Sequence, residues 1–244
     1  MHFCIDQIHR ACDALCANSL SRQVVLQIWD VHVDLPQNDG LPQSADIPCN
    51  IMSMLKVRNS SHEWTQIMRS SDIFRGLPYN FLQFTTLQEI MAGWLGVAVG
   101  SFHHWSDSLH LYTNELNCFS CLEKVNLASN TDSLATDPAQ GNTLINELFR
   151  RMDELTAQDV DDNYLDSLAT LPTAPIAYQN LLLILGAESA RRRHYLDLAQ
   201  ALMNKCTNPQ LLQAWMGWWQ RTQSKQSSVA ISTSRLKAQK VAWG

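Results

Sequence analysis

Three segments of this chain hold side chains that could do chemistry, and the first carries a lone nucleophile. Cys49 follows a proline and precedes a strand-like run, where a nearby guanidinium would favour its thiolate form. Residues 69–80 read Arg-Ser-Ser-Asp-Ile-Phe-Arg-Gly-Leu-Pro-Tyr-Asn, a run dense in groups that bind phosphate and polar base edges. Residues 110–112 read His-Leu-Tyr and add an imidazole and a phenol. We interpret the three segments as one nucleotide site.

Each of these residues also has an ordinary structural alternative. A lone cysteine such as Cys49 is more often a small buried hydrophobe, and a lone His110 is more often a satisfied core residue. Arg69 could form a surface ion pair, and Tyr112 could simply pack. Asn80 could cap the helix that follows it. The nucleotide interpretation therefore depends on the whole set of residues.

Composition limits the classes of function. The formal charge of −5 gives no general attraction to nucleic acid or to an anionic membrane, so a few placed arginines would have to bind any phosphate. No apolar run is long enough to cross a bilayer, and the N-terminus does not have the pattern of a signal peptide. Seven cysteines without the spacing of a disulfide framework predict a reducing, cytoplasmic location.

Three further motifs are interpreted as structural. Cys118 and Cys121 have CxxC spacing, but no second pair completes a zinc site, so structural thiols are favoured over a metal or redox role. The adjacent His103 and His104 have no further candidate ligands, and we predict no metal site. The run 191–194, Arg-Arg-Arg-His, predicts a solvated helical face, with a phosphate or RNA contact as the alternative.

Helices and strands are expected to alternate in the first half of the chain and to position the three segments. Apolar periodicity, β-branched runs and turn residues carry this assignment. The helices are expected over 5–18 and 80–95, with Gly96 as C-cap, the strands over 22–29, 51–57, 63–69, 97–99 and 109–112, and a surface loop over 34–46. The strands over 51–57 and 63–69 are expected to form a hairpin, and turns are expected at Gly76 and Pro78.

The second half is expected to be largely helical. We predict helices over 144–155, 178–203 and 211–219; the second could break at Gly186, and Asn208 with Pro209 would begin the third. Trp215, Trp218 and Trp219 would form a core stripe or a partner interface. The predicted organisation is an α+β nucleotide-binding core over 1–125, a linker over 126–141, a helical region over 142–222 and a flexible tail over 223–244.

The three segments resemble the thymidylate synthase family in order, spacing and residue type. The long pattern Arg-Ser-x-Asp-x-x-x-Gly-x-Pro-(Phe/Tyr)-Asn begins at Arg69, with Pro-Cys before it and His-Leu-Tyr after it. The segments Ile5-Asp6-Gln7-Ile8 and 21–29 also look like the family's helix and strand ahead of the nucleophile. The resemblance covers about residues 5–125 and implies a thymidylate-synthase-like mixed β-sheet with packed helices.

The resemblance implies catalytic and phosphate-binding roles for four residues. Cys49 would add through its thiolate to C6 of a pyrimidine and make C5 nucleophilic. Arg69 would hold the 5′-phosphate and help to keep Cys49 ionised, and Ser70 would donate its hydroxyl to the same phosphate. Arg22 would reach the phosphate of the partner subunit in a homodimer. The family carries two arginines there, and the second position is Gln23 in this chain.

The resemblance also implies the residues that recognise the base and the sugar. Asp72 matches a residue whose backbone amide faces the pyrimidine carbonyl, and it is counted with the catalytic residues. Asn80 would read the N3–H and O4 edge of uracil, where relatives that act on cytosine tend to carry Asp. His110 and Tyr112, two residues apart on a predicted strand and so on one face, would bind the 3′-hydroxyl of the sugar.

The implied reaction is transfer of a one-carbon unit to C5 of dUMP. The donor would be 5,10-methylenetetrahydrofolate, and the enzyme would be a homodimeric cytoplasmic methyltransferase of nucleotide biosynthesis. Two alternatives stay open at this point. The first is a hydroxymethylase that acts on dUMP or dCMP. The second is an inactive homologue that binds nucleotides or other proteins.

Part of the family's machinery has no recognisable counterpart in the sequence. The N-terminal region normally supplies a Trp-rich helix, a general-base glutamate and an arginine loop, and a C-terminal segment closes over the folate. Met68 and Asn50 stand where the family usually has Gln and His. General acid–base help contributes ~10²–10⁴ in rate, so a replacement base would be needed. The candidates are Glu147, Asp153, Glu154 and Glu188. Each of them could instead be an ordinary solvated residue on a helix.

Overall fold

The computed structural model describes residues 6–36, 39–41, 44, 46–113, 115–116 and 127–222. The chain divides into two compact units, Met1–Lys124 with Leu134–Thr143 and Val125–Ser133 with Leu144–Gly244. None of the described helices is both long enough and apolar enough to cross a membrane. Cys118, Cys121 and the tail over 223–244 lie outside the described residues.

The first unit is built on a mixed four-stranded sheet with the order β1-β2-β3-β4. Its elements are α1 (Gln7–Ala17), β1 (Val25–Gln27), α2 (Val31–Asp34), β2 (Asn50–Arg58), β3 (Ser61–Asp72), α3 (Gly76–Leu95) and β4 (Ala98–His110). β1 and β2 pair antiparallel, as do β2 and β3, whereas β3 and β4 pair parallel. The predicted α+β class with a mixed sheet is confirmed.

The β2–β3 hairpin is confirmed and is longer at both strands than the sequence pattern indicated. Its two-residue turn holds Asn59 and Ser60 at φ 50° and 55°. Two consecutive residues with positive φ are typical of a type I′ turn, whose twist matches that of the flanking strands. A local turn therefore sets the register along the two strands.

One face of the sheet is buried, and a single amide on α3 ties two strands together there. Alternate residues of β3, among them His62 and Trp64, are fully buried, as strand geometry requires of a covered face. The side-chain amide of Gln88 donates to the backbone oxygens of His62 (2.8 Å), Gly100 (3.2 Å) and Ser101 (3.2 Å). This buried helix-to-sheet link holds β3 and β4 in position beneath α3.

α3 begins four residues before the predicted start, directly after a turn that a side chain from the end of β3 stabilises. The Asp72 carboxylate accepts the backbone N–H groups of Phe74, at 2.8 Å, and of Arg75. The predicted turns at Gly76 and Pro78 are therefore wrong, since both residues lie in the first helical turn. Asn80 lies inside α3 and cannot be its N-cap.

The C-terminal end of α3 and the strand after it gave one correct and one wrong prediction. Gly96 ends α3 in the left-handed region at φ 64°, as predicted. The two short strands expected over 97–99 and 109–112 are one strand of 13 residues, β4, paired parallel to β3. Tyr112 lies beyond the end of β4, so the argument that placed it on a strand is wrong.

The strand expected over 22–29 is shorter, with β1 covering Val25–Gln27. The Asp30 side chain accepts the backbone N–H of His32 at 2.9 Å and so caps a short helix, α2. Local capping of this kind competes with strand pairing, which explains why the extended run ends early.

The second unit is helical, as predicted. Its elements are the greater part of α4 (Pro138–Thr156), α5 (Asp162–Ala169), α6 (Ile176–Arg192), α7 (Leu196–Lys205) and α8 (209–222). α5, which the sequence analysis missed, is capped by Asp161. Asn208 caps α8, since its side-chain oxygen accepts from the amides of Gln210 (3.0 Å) and Leu211 (3.1 Å), as expected.

The long helix expected over 178–203 is interrupted, but not at Gly186. The interruption follows Arg192 and includes His194, which has φ 65°. Gly186 lies within α6, where a Cβ would come within 2.3 Å of the Ala169 side chain. Glycine is therefore used for close helix packing at this position. The tryptophans divide between core and surface, with Trp215 buried and Trp218 largely exposed.

His62 provides a test of the buried sheet face. Its Nδ1 lies 3.2 Å from the backbone oxygen of Gln88, and burial lowers the pKa of His62 below its usual 6.5. The unfolded chain therefore takes up the proton first as pH falls. The free energy of unfolding of this unit should be constant above about pH 6.5 and should decline as pH falls from there to the folded-state pKa.

We expect hydrogen exchange of the β3 amides to quicken between about pH 7.5 and about pH 5.5, after correction for intrinsic exchange. His62→Leu should flatten this dependence, whereas His103→Leu, a change at an exposed β4 histidine, should leave it intact. An unchanged pH dependence in His62→Leu would show that another group is responsible.

Candidate nucleotide site

Strand pairing brings the three predicted segments to one end of the sheet. Because β3 and β4 run parallel, their C-terminal ends coincide, and Asp72 pairs with His110. Because β2 runs antiparallel to β3, it starts where β3 ends, with Asn50 opposite Met68. Cys49 therefore lies at the same end of the sheet as residues 69–72 and His110.

Arg69 holds the segment that carries the candidate nucleophile. Its backbone N–H donates to the Cys49 oxygen at 2.9 Å. Its guanidinium donates from Nε to the Pro48 oxygen at 2.9 Å and from Nη2 to the Ile47 oxygen at 2.8 Å. Cys49 is a free, exposed thiol. The edge of the Arg69 guanidinium that carries Nε and Nη2 thus fixes the backbone before Cys49, and Nη1 makes no hydrogen bond within the described residues.

The side chains of Ser70, His110 and Tyr112 lie in one group. Ser70 Oγ is 3.3 Å from His110 Nδ1, across the parallel strand pair. The rings of His110 and Tyr112 meet edge to face with their centroids 5.4 Å apart. The two rings are neighbours although Tyr112 is not on the strand. The group offers hydroxyl and imidazole donors to a phosphate or a sugar.

Asp72 shapes the loop between β3 and α3. Its Oδ1 accepts the amides of Phe74 and Arg75 just ahead of α3, and the bond from the Arg75 amide is the main cause that holds the pKa of Asp72 below its usual range. Its Oδ2 is buried without a hydrogen-bond partner among the described residues. The Ile73 amide donates to the His110 oxygen at 2.9 Å, which fixes this loop against the end of β4.

Asn80 faces the same loop from the second turn of α3. Its Nδ2 lies 3.9 Å from the position that a Cβ on Gly76 would take. The carboxamide makes no hydrogen bond within the described part of the chain and is half-buried. A carboxamide in this state can offer one donor and one acceptor to a ligand.

The structure does not bring Arg22 to this group. The Leu55 amide donates to the Val24 oxygen at 3.0 Å, so the residues before Val24 run toward the far end of β2. At ~3.3 Å per residue of extended chain, Leu55 and with it Val24 already lie about 20 Å from Cys49, and Arg22 lies beyond them. Arg22 is exposed there and cannot reach the phosphate position of its own protomer.

The four acidic residues considered as a replacement base all lie on helices of the second unit. Glu147 pairs with Arg150 and Arg151, and these hydrogen bonds lower its pKa to about 2. Glu188 pairs with Arg191 and Arg192, and its pKa is likewise lowered to about 2, chiefly by the bond from Arg191. Carboxylates held this strongly in the ionised form are weak proton acceptors.

Glu154 is also ion-paired. The Tyr164 hydroxyl bonds to Glu154 and lowers its pKa, and Arg150 pairs with it as well. Asp153 lies on the same helix, α4. In the Arg191–His194 run, which was predicted to be a solvated helical face, Arg191 and Arg192 pair with Glu188, and Arg193 donates to the Ser189 oxygen at 3.2 Å.

An ion pair that was not predicted from the sequence joins two of the three segments. Arg75 pairs with the buried carboxylate of Glu115, and the Glu115 amide donates to the Tyr112 oxygen at 2.9 Å. The segment after β4 is thereby tied to the first turn of α3. The buried acid gives no signal in the sequence, since nothing near Glu115 marks it as different from a solvated residue.

We expect Arg69→Ala to loosen the backbone before Cys49. The substitution removes two charge-assisted hydrogen bonds, each worth about 1.5–3 kcal/mol when buried and less at this exposed position. Amide exchange at residues 47–50 should quicken by about tenfold or more, since about 1.4 kcal/mol of opening free energy is a factor of ten. Arg58→Ala, at the opposite end of β2, is the matched control. Equal exchange rates at residues 47–50 in the wild type and in Arg69→Ala would show that Arg69 does not hold this segment.

Comparison with known proteins agrees with the geometry of the site. The sequence model of the family described as thymidylate synthase matches residues 2–149, more than half of the chain. A deoxyuridylate hydroxymethyltransferase of Bacillus phage SP01 is 36% identical over 112 residues, which are 46% of this chain and 28% of that protein. The chain thus spans little more than a quarter of the length of this curated relative. It belongs to the thymidylate synthase family.

Proposed function

We propose that this chain transfers a one-carbon unit to C5 of dUMP through a covalent bond between Cys49 Sγ and C6. The observation that supports the proposal most directly is the sheet end that holds Cys49, Arg69, Ser70 and His110 together in a member of this family. The similar phage protein bears the name of a deoxyuridylate hydroxymethyltransferase, which supports the same substrate class.

The proposed chemistry is a conjugate addition followed by an elimination. The Cys49 thiolate forms a bond to C6, and the electron pair of the C5–C6 double bond moves to C5, with charge shared by O4. C5 would then bond to the carbon of the one-carbon donor. Loss of the C5 proton to a base would break the carbon–nitrogen bond to the donor and leave an exocyclic methylene at C5. A hydride from the donor, or water, would add to this methylene to give a methyl or hydroxymethyl group, and departure of the thiolate from C6 would restore the double bond. Thiolate is a soft nucleophile and a good leaving group, which suits both steps.

Arg69 and Ser70 would bind the 5′-phosphate. Arg69 uses Nε and Nη2 on the backbone before Cys49, so Nη1 is left for an anion. A phosphate on Nη1 would order the same guanidinium that holds Cys49. Substrate binding and alignment of the nucleophile would therefore be coupled through one side chain.

Asn80, His110 and Tyr112 would recognise the nucleoside. The Asn80 carboxamide matches the N3–H donor and O4 acceptor of uracil, whereas cytosine presents the opposite pattern at these two positions. His110 and Tyr112, in edge-to-face contact, would bind the 3′-hydroxyl of the sugar. The backbone at Asp72 would face the remaining pyrimidine carbonyl.

Exposed side chains near the start of α3 would meet an aromatic one-carbon donor. Tyr79 is 72% exposed and Leu82 is 67% exposed, and both lie on one side of α3, three residues apart. These residues would hold 5,10-methylenetetrahydrofolate, which supplies the transferred carbon when bound.

Hydroxymethylation of C5 is the second candidate outcome. The observation that favours it is the name of the similar phage protein, a hydroxymethyltransferase. Both outcomes use the same bond from Cys49 to C6 and the same phosphate and base contacts. The products differ by one oxygen atom at the new carbon, so mass analysis of the nucleotide product distinguishes them.

We further propose that the chain acts as a homodimer formed by the uncovered face of the sheet. Val25 and Met54 are cross-strand partners on that face, and Trp105 is paired with Ile67 on it. All three exposed side chains are large and apolar, and Trp105 is 66% exposed. Two sheets packed by this face around a two-fold axis could bring Arg22 of one protomer to the phosphate position of the other.

Trp105→Asp should dissociate this dimer, because a carboxylate at the centre of an apolar interface is buried without a partner. Sedimentation velocity should show the change from dimer to monomer. Trp218→Asp, at an exposed tryptophan of the helical unit, should leave the oligomeric state unchanged. A wild-type chain that sediments as a monomer over the accessible concentration range would contradict the dimer.

Covalent trapping tests the role of Cys49. Incubation with 5-fluoro-dUMP and 5,10-methylenetetrahydrofolate should give a stable protein adduct in the mass spectrum, because fluorine at C5 cannot leave as a proton does. Cys49→Ala should abolish the adduct. Cys16→Ala, which removes another free and exposed thiol, should preserve it. Absence of an adduct in the wild type, or an adduct that persists in Cys49→Ala, would overturn the assignment.

A further inference from the structure

A buried amide lies next to the nucleophile segment. Gln66, on the covered face of β3, is fully buried. Its Oε1 accepts from Ser53 Oγ at 2.5 Å and from Trp64 Nε1 at 3.3 Å, and its Nε2 donates to Asn50 Oδ1 at 3.1 Å. A buried carboxamide is costly unless its hydrogen bonds are made, and here both ends are bonded.

Trp64 fixes the orientation of this network. An indole N–H can only donate, so the atom of Gln66 that faces it must be the oxygen. The amide nitrogen of Gln66 then faces Asn50, and only the oxygen of Asn50 can accept from it. The amino group of Asn50 consequently points away from Gln66. The Ser53 hydroxyl can rotate and does not alter this order.

An irregularity in β2 places Asn50 on the covered face of the sheet with Gln66 and Ser70. Asn50 and Ser53 are three residues apart and would point to opposite faces of a regular strand, yet both contact Gln66. The register shifts between Asn50 and Met52, as expected for a bulge, a feature often found next to active sites. Ser70 follows Gln66 by four residues on β3 and so shares its face.

We propose that Asn50 selects uracil over cytosine by donating its amino group to O4, and that Gln66 and Trp64 are positioning residues that prevent its carboxamide from turning over. The inference deepens the proposed function and rests on it. O4 has two lone pairs and can accept from Asn50 as well as from Asn80. It is also the oxygen that gains charge when Cys49 adds to C6, where a preoriented donor is most effective.

The fixed orientation of donors and acceptors in this network explains why cytosine would be rejected. The amino group of cytosine at C4 would meet the amino group of Asn50, donor against donor. Turning the Asn50 carboxamide over would relieve that clash but would place its amino group against the amino group of Gln66. Gln66 cannot turn in compensation because of Trp64. The preference for a carbonyl at C4 is therefore set by an indole two side chains away from the ligand.

Two substitutions test whether the amino group of Asn50 faces the ligand. Asn50→Asp keeps an oxygen for Gln66 and replaces the donor that faces the ligand. Gln66→Glu leaves Asn50 in place but presents an oxygen to it, so the Asn50 carboxamide should turn over. Both variants should lower the ratio of dUMP to dCMP affinity by tenfold or more, the size of effect typical of one mispaired polar group. Gln66→Met, which offers no such oxygen, should weaken both nucleotides alike.

Binding of dUMP and dCMP to the full chain is measured by titration calorimetry, with circular dichroism to verify folding. An unchanged dUMP-to-dCMP ratio in folded Asn50→Asp overturns the inference. So does equal weakening of both nucleotides in Gln66→Glu, because a purely structural role of Gln66 would produce that result. A wild type that binds neither nucleotide overturns the proposed function and this inference together, whereas wild-type binding with unchanged ratios overturns this inference alone.

Discussion

The parallel pairing of β3 with β4, beside the antiparallel β2–β3 hairpin, is the constraint on which the site depends. It makes the end of β3, the end of β4 and the start of β2 coincide, so residues 49, 69–72 and 110 become neighbours although up to 61 positions separate them in the chain. Gln88 of α3 supports this pairing through three buried hydrogen bonds to backbone oxygens of β3 and β4. The strand pairing by itself thus positions the nucleophile.

Positioning at this sheet end is shared by polar groups that already have protein partners. Arg69 binds the backbone before Cys49, Asp72 stabilises the turn ahead of α3, and Asn50 is held by Gln66. Arg69 and Asn50 also present an atom with no hydrogen bond inside the described part of the chain. A ligand would therefore meet donors and acceptors whose orientation has been set by folding, which lowers the entropic cost of binding. Arg22 is the exception, since it lies at the other end of the sheet.

Local patterns predicted much of this fold, and non-local contacts explain what they missed. The hairpin was predictable because Asn59 and Ser60 form its turn, and the end of α3 because Gly96 is a helix terminator. The start of α3 was not, because the turn ahead of it depends on Asp72, the last residue of the preceding strand. β4 was read as two fragments since one of its faces is uncovered and polar residues interrupt it. The hydrogen-bond network that orients Asn50 through Gln66 and Trp64 depends on a bulge and on cross-strand contacts, which no spacing in the sequence reveals.

Release of tritium from C5-labelled dUMP tests the central claim most directly, because it reports the bond from Cys49 to C6 and the loss of the C5 proton in one assay. The account predicts release that depends on 5,10-methylenetetrahydrofolate and that disappears in Cys49→Ala. dUMP that binds with an affinity sensitive to Arg69→Ala but never loses tritium, with or without the folate, would contradict it and would indicate a protein that binds the nucleotide without reacting with it.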